Sequence, residues 1–308
     1  MKHIPFVVIL LAQLSYTQNI ETVSTDITVS DYIEGTLLTP TDSIYNKTLA
    51  IIIAGSGPTD RDGNQNFLKC DALKKLAYGL AEQGFSSFRY DKRVVKDLKM
   101  GIYDNDYLFD DFIDDAKDVV AYFRNNKAYH KIIVIGHSQG SLIAMLASKG
   151  ANGIVSIAGP SESIDVIISK QIKQNAPELS VQSDRIIAVL KSGKTTDDYP
   201  PVLGSIFNKT VQPFLINWMN YTPSEILSKI EIPSLILNGS NDLQIESDQA
   251  IQLAEVNSYS KLSVIQDMNH VLVNVSKDPL ENAKSYNEPH RPISSDLIKV
   301  ITLFMKSL

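Results

Sequence analysis

Gly136-His137-Ser138-Gln139-Gly140 follows the apolar run Ile132-Ile133-Val134-Ile135 and precedes an amphipathic helical pattern from Ser141 to Lys149, with Gly150 after it. A serine between two glycines on a strand-to-helix turn is placed to do chemistry. The turn projects its hydroxyl, and the helix start offers backbone N–H groups to a developing negative charge. Such a hydroxyl needs a general base, and histidine suits that role near neutral pH. The chain has five histidines. His3 lies in the N-terminal apolar segment, and His137 adjoins the serine and is expected to point away from it. His130 precedes the strand, at its far end, and His290 sits in a polar stretch before the last helical pattern. His270 instead follows the strand-like Leu262 to Ile265 through a short loop, which puts it at the same sheet edge as the serine. An orienting acid is expected between serine and base in chain order. Asp242 fits, because it ends Asn238-Gly239-Ser240-Asn241-Asp242 directly after the buried run Ile232 to Leu237. The expected constellation is Ser138 as nucleophile, His270 as base and Asp242 as orienter, carrying out acyl transfer through a covalent intermediate.

A tetrahedral oxyanion needs two donors. Gln139 N–H is the first, and the loop Gly55-Ser56-Gly57-Pro58 after the run Leu49 to Ala54 supplies the second, through Ser56 with Gly57 as the open alternative. The charged run Thr59-Asp60-Arg61-Asp62-Gly63-Asn64 follows. It reads equally as a local Asp60–Arg61 or Arg61–Asp62 pair pinning that loop, or as a solvated turn.

The elements that must position these groups alternate between strand and helix. Strand-like runs stand at Thr25 to Val29, Ile33 to Leu38, Leu49 to Ala54, Phe85 to Tyr90, Ile132 to Ile135, Gly153 to Ile157, Ile232 to Asn238 and Leu262 to Ile265. Helical spacing lies between them, over Leu68 to Leu80 (Cys70 included), Phe109 to Phe123, Ser141 to Lys149, Ser247 to Val256 and Ser294 to Met305. This is an α/β protein with a mostly parallel central sheet flanked by helices. The aspartates of the 109–123 pattern read as a solvated helix face, since no glycine turn is present to wrap them round a cation. Periodicity weakens over 161–228, which reads as a helical lid inserted into a core formed by 18–160 and 229–308. Phe214, Trp218 and Met219 within it suggest an apolar acyl pocket. Thr222-Pro223-Ser224-Glu225 has the form of a capping box at the start of a helix.

Met1-Lys2-His3 followed by the apolar run Ile4 to Leu14 predicts a signal peptide over 1–17 and an exported chain, periplasmic or secreted. That run is too short to span a bilayer, which takes about twenty residues. With Lys plus Arg at 29 and Asp plus Glu at 35, the net charge of −6 speaks against a nucleic-acid footprint. One cysteine, no zinc-protease helix motif and no phosphate-binding glycine loop imply no metal and no cofactor.

The chain resembles the α/β-hydrolase superfamily over nearly everything after the N-terminal segment. The Gly-Ser-Gly-Pro-Thr-Asp-Arg-Asp-Gly-Asn run at 55–64 and the elbow Gly-His-Ser-Gln-Gly resemble a bacterial branch of exported esterase- and peptidase-like serine hydrolases. Arg89-Tyr90-Asp91-Lys92-Arg93 matches that branch's Arg-Tyr-Asp-Lys-Arg-Gly segment, with Val94 in place of its glycine. The resemblance implies the same three residues, Ser138, Asp242 and His270, and a carboxylesterase acting on small acyl esters. Acyl thioesterase and serine aminopeptidase are the alternatives. A non-catalytic ligand-binding protein of this fold is the alternative from another class, and the complete set of catalytic groups argues against it.

Overall fold

Apolar residues on both faces of a strand demand covering on both sides, and the strands of this chain are arranged accordingly. The computed structural model describes residues 20–41, 43–45, 47–102 and 106–308. The expected signal peptide, 1–17, lies outside the described residues. Eight strands, β1 (Thr22–Thr28), β2 (Glu34–Pro40), β3 (Thr48–Ile53), β4 (Ser86–Tyr90), β5 (Lys131–His137), β6 (Gly153–Ile157), β7 (Ser234–Gly239) and β8 (Ser260–Ile265), form one sheet in the order β1-β2-β4-β3-β5-β6-β7-β8. The β1–β2 and β2–β4 pairs are antiparallel, and every pair from β4 to β8 is parallel.

Alternate residues of β3 and β5 feed two separate cores. Ala50, Ile52, Ile133 and Ile135 pack with the helices Ala72–Glu82 and Ser295–Ser307 on one face. Leu49, Ile51, Ile132 and Val134 pack with the helix Phe109–Asn125 on the other. The connection from β3 runs to β4 on one side, and that from β5 runs to β6 on the other. The order therefore reverses between β3 and β5, and the crevice beyond their carboxyl ends is where open parallel sheets bind ligands.

Between β6 and β7 the chain forms helices Ile164–Asn175, Ser180–Lys191, Gly204–Phe207, Gln212–Trp218 and Pro223–Leu227, with two short 3₁₀ turns. Ile168, Leu190, Phe207 and Trp218 belong to the same buried cluster as the helix Phe109–Asn125. The insertion is thus packed against the helix Phe109–Asn125. Trp218 stacks on Phe109 with ring centroids 5.2 Å apart.

Three local expectations are corrected. Leu68 to Asp71 is not helical, because the Asn64 Oδ1 accepts the backbone N–H groups of Cys70 and Asp71 and holds Asp71 at a left-handed φ of 51°. The helix begins at Ala72, and Cys70 is buried just ahead of it. The aspartates of Phe109–Asn125 are not one solvated face. Asp115 is buried against Arg93, Asp111 shares that guanidinium, and Asp110 accepts the Asn217 side-chain amide and the Tyr221 hydroxyl. Thr222 does precede the helix Pro223–Leu227, but its side chain caps nothing. The Ser224 N–H, free at the helix start, is taken by the Ser161 carbonyl at 3.0 Å instead.

Candidate active site

β5 ends in a forced turn. Ser138 sits at φ 54°, ψ −120°, a conformation an L-residue adopts only at a cost of about 1–3 kcal/mol. Its N–H donates to the Ile157 carbonyl at 2.8 Å, and its own carbonyl accepts from Ser141 N–H at 2.9 Å. Close approach explains the two glycines around it. A Cβ on Gly136 would lie 2.0 Å from the Gly140 carbonyl oxygen, and one on Gly140 would lie 2.4 Å from that of Ile53. The helix Gln139–Leu146 starts immediately after the serine, with Gln139 buried as its first residue.

Asp242 follows β7 and His270 follows β8, and the sheet brings them together across 28 residues of sequence. The His270 Nδ1 lies 2.8 Å from the Asp242 Oδ2, both side chains buried. The other carboxylate oxygen, Oδ1, accepts the backbone N–H groups of Gln244 at 2.8 Å and Ile245 at 3.0 Å. The acid is therefore fixed by its own loop and aimed at the imidazole. With Nδ1 donating to a carboxylate, the His270 Nε2 is left as the acceptor. Ser138 and His270 line one cavity of about 240 Å³, together with Ser56, Cys70, Gln244 and Tyr286.

The loop after β3 closes this cavity. A Cβ on Gly55 would come within 3.2 Å of the Ser138 Cβ, so the loop backbone passes directly beside that serine. The Ser56 carbonyl accepts from the Thr59 hydroxyl at 2.7 Å and the Gln65 amide at 3.0 Å. The following charged run pins the loop through distant strands. Arg61 binds Asp91 at 3.0 Å and Asp26 at 3.2 Å, and Asp62 binds Arg89 at 2.8 Å, so neither local pair expected from sequence forms. Burial works to raise the Asp91 carboxyl, but the hydrogen bonds from Arg61 and Lys99 outweigh it and hold the pKa below the usual value.

Lys92 is a residue that sequence reasoning passed over, and His137, expected to point away from the serine hydroxyl, has a contact it did not foresee. His137 lines the serine cavity: its Nε2 donates to the His270 carbonyl at 2.8 Å, and the two rings lie 4.8 Å apart. Burial, with the neighbouring His270 ring adding to it, pushes the His137 imidazole down to about 3, so it is a neutral donor. Its position next to the serine in sequence was the only available signal. Lys92 matched a motif, but nothing in that motif said that its ammonium is buried.

A second cavity, of about 500 Å³, opens on the insertion side and shares Ser56 with the first. Gln139, Phe112, Ile168, Phe214, Leu215 and Trp218 line it. Of the three residues expected in an acyl pocket, Phe214 and Trp218 are there. Met219 is not, because it follows the C-terminal end of the helix Gln212–Trp218 and packs among the core residues of that face.

Comparison with known proteins agrees with this architecture. Residues 69–276 match the family model described as serine aminopeptidase, S33 (Hydrolase_4). Over 235 residues the chain is 27% identical to the esterase EstD of Thermotoga maritima, covering 72% of this chain and 54% of that protein. The chain thus spans about half the length of that relative. Among solved structures, Est1E from Butyrivibrio proteoclasticus superposes with a TM-score of 0.55 at 15% identity, over 92% of this chain and 99% of the other. The Pyrococcus furiosus esterase Pf2001 gives 0.56 at 17% identity, over 94% and 91%. At these identities the two structures speak for the fold. With the sheet order, the serine turn at the end of β5 and a family match across most of its length, the chain belongs to the serine aminopeptidase S33 family of α/β hydrolases.

Proposed function

We propose that this protein is a carboxylesterase that works through an acyl-enzyme on Ser138. The observation that carries the reading is the Asp242–His270 pair. A buried carboxylate held by two backbone N–H groups fixes the imidazole tautomer, and that imidazole shares a cavity with a serine on a strained elbow. Ser138 Oγ attacks the ester carbonyl as the His270 Nε2 takes its proton, and the N–H groups of Ser56 and Gln139 receive the oxyanion. His270 then protonates the leaving alkoxide. Water, deprotonated by the same imidazole, attacks the acyl-enzyme and releases the acid and Ser138. The acyl group lies in the insertion-side cavity against Phe214 and Trp218, with residues 161–228 serving as the lid.

The family description favours a peptidase and the relatives favour an esterase, and the lining of the cavities supports the esterase reading. An aminopeptidase must hold an α-ammonium, which calls for a carboxylate beside the scissile bond. Among the described residues neither cavity is lined by Asp or Glu, and the insertion-side cavity carries the Lys92 ammonium instead. An oxygen ester also has the better leaving group. The run Ile4 to Leu14 supports an exported chain whose mature form starts near Gln18, which intact-mass measurement of the exported protein tests. No helix among the described residues is long and apolar enough to cross a membrane.

The experiment is fluorophosphonate labelling of wild type and Ser138→Ala, followed by kcat/KM on acetyl, butyryl and octanoyl p-nitrophenyl esters, an acyl thioester and aminoacyl anilides. Labelling is lost in the Ala variant, and the oxygen esters lead the panel. Anilides or thioesters ahead of every ester would refute the substrate class while leaving the nucleophile in place. An unlabelled wild type with no turnover would replace the enzyme with a binding protein.

A further inference from the structure

Lys92 follows β4 and is 4% exposed, an ammonium folded into the protein interior with no carboxylate partner among the described residues. Its flanking residues do have charged partners. Asp91 faces Arg61 and Lys99, and Arg93 faces Asp111 and Asp115. Lys92 Nζ instead donates to the Gly55 carbonyl, to the Gly57 carbonyl at 3.3 Å and to the Gln139 Oε1 at 2.8 Å, and it stands 5.3 Å from the centre of the Phe112 ring. An ammonium has three N–H donors, and here each has an acceptor. A buried, uncompensated charge costs several kcal/mol, so stability alone gives no reason for it.

Its contacts give one. The carbonyl of Gly55 and the N–H of Ser56 belong to the same peptide unit, and in a trans peptide the two point in opposite directions. Holding the Gly55 oxygen on the Lys92 side turns the Ser56 N–H away from Lys92. The same ammonium holds the side chain of Gln139, whose backbone N–H is the other donor. Gly57 precedes Pro58, so its peptide unit has no N–H of its own to aim. We propose that Lys92 is the positioning residue of the oxyanion hole, a charged clamp that sets the Ser56 and Gln139 N–H groups relative to Ser138 and that acts only while it carries its proton. This rests on the esterase reading above and deepens it.

Charge state then becomes a control on turnover. Burial brings the Lys92 ammonium down to about 7. His137 of β5 feels the Lys92 charge and is itself neutral above about 3. Tyr107, on the wall of the same cavity, gives its hydroxyl to Asp97, and the insertion residues lining that cavity carry no charge. A neutral amine keeps two N–H donors and gains a lone pair, so one of its three oxygen partners then faces a lone pair and the clamp opens. Activity therefore falls as pH rises through about 7.

The test compares wild type, Lys92→Met, Lys92→Arg and Gln139→Met on p-nitrophenyl butyrate from pH 5 to 9.5, with fluorophosphonate labelling rates and circular dichroism. Losing one oxyanion donor costs about 100–1,000-fold in kcat, and a donor that is misaimed should cost about 100-fold. Lys92→Met is expected to lose about that factor in kcat with KM within threefold of wild type, and to lose the alkaline limb. Lys92→Arg keeps the charge and is expected to recover about tenfold over the Met variant, with a flat alkaline side. Gln139→Met leaves the ammonium in place and cuts one tie, for a loss of about tenfold. Lys92→Met with kcat within threefold of wild type, or with an unchanged pH profile, overturns the proposal. If Lys92→Met does not fold, Gln139→Met decides: kcat within twofold of wild type overturns it, and the tenfold loss supports it. A wild type that the fluorophosphonate does not label overturns the esterase reading and this one together. A labelled wild type beside an unimpaired Lys92→Met overturns this one alone.

Discussion

Asp242→Asn separates what the acid does for catalysis from what it does for the fold. In the wild type one carboxylate oxygen serves the loop, accepting Gln244 N–H at 2.8 Å and Ile245 N–H at 3.0 Å, and the other accepts from His270 Nδ1 at 2.8 Å. An amide has a single acceptor oxygen. Two backbone donors on one side outweigh one imidazole on the other, so the amide oxygen stays with the loop and its NH₂ faces His270. The imidazole must then present an unprotonated Nδ1 and carry its proton on Nε2, the nitrogen that should take the serine proton. A wrong tautomer costs about 10⁴-fold in kcat, which at 1.36 kcal/mol per decade is about 5.4 kcal/mol of transition-state stabilisation. Stability moves far less. The loop hydrogen bonds survive as neutral rather than charge-assisted ones, at a cost of about 1 kcal/mol. Asp242→Ala reverses the balance, because it strands both N–H groups at about 1–3 kcal/mol each while leaving the imidazole free to choose its tautomer. The Asn variant should therefore be the more stable of the two and no more active. The assays are kcat on p-nitrophenyl butyrate and urea unfolding of both variants. An Asn variant that keeps more than a tenth of wild-type kcat, or unfolds before the Ala variant, refutes the tautomer argument.

Two further predictions concern a neighbour of that pair and the insertion-side cavity. His137 is held down to about 3 by burial, whereas in the unfolded chain an imidazole binds its proton below about 6.5. Between those values the unfolded state holds the extra proton, so stability should fall as pH drops from about 6.5 toward 3, by several kcal/mol in all. His137→Phe should flatten that slope in urea titrations at successive pH values, and an unchanged slope would assign the acid sensitivity elsewhere. In the insertion-side cavity, Phe214→Ala and Trp218→Ala enlarge the space proposed for the acyl group. The octanoyl-to-butyryl ratio of kcat/KM should rise severalfold in at least one of them, and ratios equal to wild type in both would place the acyl chain in the smaller cavity.

How far the sequence carried depended on whether a feature was local. The central strands β3, β5 and β7 announced themselves as runs of Ile, Leu and Val, because both their faces are buried, as Ile51 and Ile52 of β3 illustrate. The turn holding Ser138 was legible for the same reason: its glycines answer to backbone atoms only a few residues or one strand away. Asp242 and His270 could be picked out because a strand end aims a loop at one edge of the sheet, and the structure does bring them into contact. Short polar helices, Arg93–Lys99 and Pro279–Ser285, left too little apolar periodicity to be read.

What escaped was pairing at a distance. Arg61 was weighed against its immediate neighbours, yet its partners stand 30 and 35 residues away on other elements. Asp62 meets Arg89 across 27 residues, and Lys92 meets the Gly55 carbonyl across 37. Apart from Arg61–Asp26, which reaches β1, these contacts join the loop after β3 to β4, the strand beside it in the sheet, and to the residues just after β4. The Arg-Tyr-Asp-Lys-Arg segment therefore reads as the anchor of the loop after β3, the loop proposed to supply an oxyanion donor. Arg89 and Asp91 grip its charged run through Asp62 and Arg61, and Lys92 grips the carbonyl that precedes Ser56. An oxyanion hole built on a loop needs such an anchor, because a hydrogen-bond donor misplaced by a fraction of an ångström loses most of its effect on a developing charge. The elbow is strained and fixed by its own helix, while the loop has no secondary structure to hold it. The sequence thus places its long-range charge pairs where the backbone alone could not keep the geometry, and a motif of five consecutive residues is tied to the serine turn through the Lys92 contact with Gln139.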